Sequence, residues 1–84
     1  MDEGQVYAGL TDIFREMFAD DTIVLRPQMT AGDVDGWDSF NHLSIMVAVE
    51  GRFGIRFGTK EIETLTNVGA LVGLIQAKLD AKSV

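Results

Sequence analysis

Read at a period of three to four residues, the chain divides into four helical stretches interrupted by one long irregular segment. In the first stretch Val6, Leu10, Ile13, Phe14 and Met17 recur on one side while Asp12, Arg15 and Glu16 fall on the other, the pattern of a helix with one face on a core. From about Asp20 to Trp37 the period is lost. Ile23, Val24 and Leu25 are strand-like in composition, but no second run of that kind is available to pair with them, so the segment reads as a loop. Long loops in small domains need anchors, and Val24, Leu25, Met29, Val34 and Trp37 are expected to tack it across helix ends. Trp37 is expected to act as a core anchor rather than a binding residue, since large aromatics mainly supply buried area.

Asp38 offers an N-cap for a second helix, Ser39 to about Phe53, which Gly54 ends. At helical spacing Ile45, Met46, Val49 and Phe53 share one face, while Phe40, Leu43 and Val47 fall on nearly the opposite one. A helix apolar on two sides is either wholly buried or keeps one stripe for a partner, and a chain this small favours the partner surface. Thr59 is placed to cap a short third helix, Lys60 to about Leu65, with Ile62 and Leu65 turned inward. Asn67 is placed to cap a fourth, in which Val68, Leu71, Val72, Ile75 and Leu79 form the apolar stripe. Lys78 and Lys82 sit favourably near its C-terminal end, while Gly69 and Gly73 weaken it. The predicted fold is all-α: a small four-helix bundle of three longer helices and one short one, with a long loop between helices 1 and 2.

Composition narrows the chemistry. Eighty-four residues suffice for one domain, 1–84. Without cysteine there is neither a disulfide nor a thiolate metal site, and one histidine leaves few nitrogen ligands. Seven basic against thirteen acidic side chains give a net charge of −6, which repels nucleic acid and anionic lipid and favours encounter with basic protein surfaces. The N-terminal stretch lacks a signal-peptide pattern and no later run reaches membrane-spanning length, so the expectation is a cytoplasmic, non-inserted monomer.

Two candidate chemistries fail on spacing. Asp33, Asp35 and Gly36 invite a calcium-loop reading, but with Gly36 at the sixth position Ala31 takes the first and His42 the twelfth, so two essential oxygen ligands are missing. Ser39 and His42 lie one helical turn apart, yet no orienting acid or oxyanion hole accompanies them, and His42 falls on the core-facing side, where a packed, hydrogen-bonded role fits better.

The run Gly36-Trp37-Asp38-Ser39-Phe40-Asn41 closes the long loop and opens the doubly apolar helix. Here the chain resembles the acyl carrier protein family, whose signature is Gly-x-Asp-Ser-[Leu/Met] at the start of its second helix. The resemblance extends over nearly the whole chain: length, acidic charge, the long first loop, the run Val49-Glu50-Gly51-Arg52-Phe53-Gly54-Ile55, and Leu65-Thr66-Asn67-Val68 leading into the last helix. It implies that Ser39 carries 4′-phosphopantetheine, that Asp38 helps a phosphopantetheinyl transferase recognise the site, and that separate enzymes load and modify an acyl group held as a thioester. On that reading the chain is a carrier in fatty-acid, specialised lipid or polyketide biosynthesis, not an enzyme, and Phe40, Leu43 and Val47 form its docking surface. A helix N-terminus also suits the phosphodiester, because its unpaired N–H groups and partial positive charge favour an anion. Without the resemblance, Ser39 reads as an unmodified first-turn residue and Asp38 as a cap.

The chain departs from the family in charge. Asn41, Ser44, Gly51 and Arg52 stand where fatty-acid carriers often have acids or other polar residues, and Lys60 stands where an acid is common. Glu50 is the only carboxylate within the second helix after Asp38, so electrostatic steering by this helix is expected to be weak and a dedicated pathway becomes plausible. Met46, Val49, Phe57, Ile62 and Leu65 either line a small acyl pocket, suited to a short or polar cargo, or simply form the core. Two further readings stay open: an unmodified protein-interaction module on the same fold, and an aminoacyl or peptidyl carrier.

Overall fold

The computed structural model describes residues 2–34, 36–65 and 67–82, with Ala31 and Ser39 described by their backbone alone. Among the described residues four α-helices follow one another: α1 (Glu3–Phe18), α2 (Ser39–Phe53), α3 (Thr59–Thr64) and α4 (Val68–Lys82), with a 3-10 turn at Ala31–Asp33 in the long connection between α1 and α2. The all-α bundle anticipated from periodicity is the observed fold.

The core stripes of the sequence are buried in the structure, except that Met17 and Leu79 at the ends of their stripes are only half-buried. α1 contributes Val6, Leu10, Ile13 and Phe14; α2 contributes Ile45, Met46, Val49 and Phe53; α4 contributes Val68, Leu71, Val72 and Ile75. α1 packs against both α2 and α4. α3 has no buried residue of its own; Ile62, and Leu65 just beyond its end, rest half-buried on the core rim.

Helix ends obey local chemistry with two exceptions to expectation. Asp2 and Gln5 form a reciprocal capping box at the start of α1, with Gln5 N–H donating to Asp2 Oδ1 at 2.8 Å and Asp2 N–H to Gln5 Oε1 at 3.0 Å. The third helix begins one residue earlier than predicted: Thr59 is helical, Gly58 occupies the N-cap, and the helix closes at Thr64. The shift follows from Glu61, whose carboxylate accepts the Gly58 N–H at 2.7 Å and so supplies the cap from inside the first turn. Asn67 caps α4 as expected, accepting the Ala70 N–H at 2.7 Å. Lys82 does more than complement the dipole of its own helix, since its ammonium donates to the Gly54 carbonyl at 2.9 Å and so closes the C-terminal end of α2.

The long loop is held in place by distributed contacts. Leu25, Val34 and Trp37 are buried, and Ile23 and Met29 pack half-buried against the core. Val24 is the exception: it is 60% exposed and anchors nothing, so the expectation for that residue is corrected. Alternation within the extended stretch turns Leu25 inward, and its neighbour faces out. Backbone bonds complete the attachment, with Val68 N–H donating to Met29 O and Gly69 N–H to Pro27 O, each at 2.8 Å. Gly69 therefore has a structural use its helix propensity hides, because a Cβ there would lie 3.0 Å from the Pro27 carbonyl oxygen.

Two stability predictions follow from these packing details. Ala19 ends α1 in the left-handed region at φ 51°, so Ala19→Gly is expected to raise stability by about 0.5–1 kcal/mol in urea unfolding, the relief of strain exceeding the added chain entropy. Phe14 is fully buried between Phe18 and Trp37, and Phe14→Ala is expected to cost about 3–5 kcal/mol by the same measurement.

Candidate functional site

Ser39 is the first residue of α2; its side chain lies outside the described residues. The geometry around it is set by its neighbours. Gly36 adopts φ +87°, a conformation that side-chain-bearing residues rarely hold, and turns the loop toward the helix. Trp37 is then driven into the core, 7% exposed, with its ring perpendicular to that of Phe14 at 5.1 Å between centroids and 87° between planes. Asp38 takes an extended conformation and caps the helix, its carboxylate accepting the Asn41 N–H at 2.9 Å while its carbonyl accepts the His42 N–H at 2.8 Å. The Asn41 side-chain amide reaches back to donate to the Gly36 carbonyl. Ser39 is thus carried by a turn tied on both sides, between exposed Asp38 and exposed Phe40.

His42 joins three parts of this site. Trp37 Nε1–H donates to His42 Nδ1 at 3.1 Å, the two rings lie stacked at 5.9 Å, and His42 Nε2 faces the Ile62 carbonyl at 3.3 Å. A packed, hydrogen-bonded histidine was the expectation; its bridging of loop, α2 and α3 had no sequence signal beyond its helical position.

Phe40, Leu43 and Val47 are exposed to 77%, 54% and 66%, and they lie on the side of α2 away from its buried residues. Met46 and Val49, by contrast, are fully buried, and Phe57, Ile62 and Leu65 pack half-buried on the core. Two of the five candidate pocket residues are thus buried and three sit half-buried against the core.

Charge near α2 is sparse and largely engaged. No acid lies in its first turn. The Glu50 carboxylate accepts the Phe57 N–H at 2.8 Å, fixing the connection to α3. Arg52 pairs with Asp12 at 3.2 Å across half-exposed surface, where such pairs contribute little. Asp33 is exposed but not merely solvated, for its carboxylate accepts the Thr30 N–H at 2.9 Å; Asp35 lies outside the described residues. On α3, Glu61 accepts from Gly58 N–H and pairs with Lys78 at 2.9 Å, and Lys78 also lies over the Phe57 ring at 5.8 Å. The Gly58 hydrogen bond first, and Lys78 second, hold the Glu61 carboxyl below its ordinary value. Sequence reasoning missed these roles of Glu50, Glu61 and Lys78 because each partner comes from a separate turn or helix.

A bundle whose second helix opens on an Asp-capped serine, flanked by an exposed apolar stripe, has the architecture of a carrier domain. Comparison with known proteins agrees. No family model matches the chain, but curated relatives do. It is 30% identical over 71 residues to the acyl carrier protein of Acidothermus cellulolyticus, an alignment covering 84% of each chain. It is likewise 30% identical over 71 residues to that of Myxococcus xanthus, covering 84% of this chain and 90% of the relative. Among solved structures, the solution NMR structure of holo acyl carrier protein from Geobacter metallireducens superposes with a TM-score of 0.86 at 41% identity, covering 93% of this chain and 90% of that one. The chain belongs to the acyl carrier protein family. No helix among the described residues is long and apolar enough to cross a membrane.

Two outcomes test the local account. Asp38→Ala is expected to cost about 1 kcal/mol in urea unfolding while Asp38→Asn is nearly neutral, because both native and Asn side chains can accept from the third N–H. The lowered Glu61 carboxyl contributes stability that is present above the unfolded-state value and is lost as pH falls through the folded-state value. The difference in thermal midpoint between the native chain and Glu61→Gln is accordingly expected to be positive at neutral pH and to close on acidification through the carboxylate range.

Proposed function

We propose that the chain carries acyl intermediates as thioesters on a 4′-phosphopantetheine arm attached to Ser39. The observation that carries this reading is the position of Ser39 at the first turn of α2, in the Gly36-Trp37-Asp38-Ser39 run, within a chain of this family. The surroundings fit the group. Residues 38 and 40 are exposed on either side, so a transferase can approach, and the helix N-terminus offers positive potential to a phosphodiester. In the attachment the Ser39 hydroxyl oxygen bonds to the β-phosphorus of coenzyme A. The pyrophosphate bridge breaks, adenosine 3′,5′-bisphosphate leaves, and the hydroxyl proton passes to a base on the transferase. The arm, when present, supplies a thiol that holds the acyl group. The chain's own residues do the rest: Asp38 organises the turn and is read by the transferase, and Phe40, Leu43 and Val47 present an apolar docking surface to enzymes that load and modify the cargo.

The weak charge of α2 supports a partner that reads shape and apolar area rather than an acidic stripe, and a dedicated biosynthetic pathway rather than housekeeping fatty-acid synthesis. The burial of Met46 and Val49, with Phe57, Ile62 and Leu65 packed half-buried against the core, supports a short or polar cargo. A long acyl chain found on the protein from its native host would overturn that part of the reading.

Intact mass after incubation with coenzyme A and a broad-specificity phosphopantetheinyl transferase is expected to show one phosphopantetheine adduct, lost in Ser39→Ala. No adduct, or one that survives the substitution, defeats the carrier reading in favour of an unmodified interaction module. Phe40→Ser is expected to lower kcat/KM for that modification by about tenfold or more with the thermal midpoint unchanged, and the loss is expected to vary little with salt because the contact is apolar.

A further inference from the structure

The hydrogen-bond relay through His42 has a requirement that its geometry makes explicit. The indole Nε1–H is a donor only, so at 3.1 Å His42 Nδ1 must present its lone pair. The ring is then neutral, its proton sits on Nε2, and that N–H donates to the Ile62 carbonyl at 3.3 Å. We infer that His42 is a positioning residue that locks the segment carrying Ser39 to α2 and α3, and that it does so only as the neutral Nε2–H tautomer. Protonating Nδ1 sets one N–H against another and releases Trp37, while Nε2–H keeps its acceptor on Ile62. The link to α3 therefore survives and the link to the loop is lost. The stacked rings alone tolerate an imidazolium, but the opposed donors do not.

Charged groups on the elements meeting at His42 are otherwise engaged or exposed. The Asp38 carboxylate holds the Asn41 N–H, Glu61 holds Gly58 and Lys78, and Arg15 of α1 donates to the Ile23 carbonyl at 3.0 Å. Lys60 and Glu63 of α3 are exposed. The relay belongs to the unmodified chain; that the segment it holds is an attachment segment rests on the carrier reading.

The chain contains one tryptophan and one histidine, so each end of the relay reports on itself. In the unmodified protein, Trp37 emission is expected to follow a one-proton curve as the pH is lowered from neutral, with far-ultraviolet circular dichroism constant across the same range. In His42→Gln, whose amide can replace acceptor and donor without titrating, the step is expected to vanish. Nitrogen-15 spectra of the imidazole at neutral pH are expected to show the Nε2–H tautomer. A flat Trp37 profile in the native chain, the same step in His42→Gln, or an Nδ1–H tautomer overturns the proposal. None of these readouts requires modification, so their failure leaves the Ser39 reading standing, and loss of the Ser39 adduct leaves them untouched.

Discussion

The perpendicular contact between the rings of Trp37 and Phe14 is the one on which the site depends. It fixes the last turn of a long connection immediately before the helix that begins at Ser39. One such contact is insufficient for the whole loop. Ordering a residue's backbone costs about 1–2 kcal/mol, and a buried aromatic offsets only a few residues' worth. Anchors must therefore recur every few positions, and they do: Ile23, Leu25, Met29, Val34 and Trp37 in turn, with carbonyls of Pro27 and Met29 satisfying the first N–H groups of α4. The loop and the start of α4 thus solve each other's polar deficit, which is why glycine at 69 is useful there despite its low helix propensity.

α2 divides its apolar residues between two purposes. Ile45, Met46, Val49 and Phe53 close the core against α1, and the opposite stripe is left in water. Nothing in an 84-residue chain is large enough to cover both sides. Meanwhile two carboxylates on α2 and α3 are used locally, Glu50 in the turn to α3 and Glu61 in capping α3 and holding Lys78. The net charge of −6 then acts as a diffuse field rather than a local code. What this face presents is the apolar area of Phe40, Leu43 and Val47.

Much of the fold was legible because burial repeats at the helical period. The α2 boundaries follow from Asp38 and Gly54, and every residue of its predicted inner stripe is buried. The failures share one physical cause. Val24 stands among apolar neighbours, and composition alone does not reveal that an extended stretch turns it outward. Thr59 has the composition of a cap, yet Glu61 supplies that function from within the helix and moves its start. Lys78 and Lys82 have the right sign for a helix C-terminus, but their partners, Glu61 and the Gly54 carbonyl, are set by tertiary approach. Periodicity reports which side of an element is inside; it carries no information about which polar group meets which.

That distinction bears on the site itself. Both apolar faces of α2 are committed, one to the core and one to the surface, so the segment preceding the helix cannot be held there by further burial beyond Trp37. Directional polar bonds take over: Asp38 to Asn41, Asn41 to Gly36, Trp37 to His42 and His42 to Ile62. Such bonds have small net energies but leave a costly orphan when one partner is lost, so they specify geometry more than they add stability. A turn built this way stays at the surface and yet has a single arrangement. Its position is therefore sensitive to the protonation of one side chain in a way that a turn fixed by packing is not.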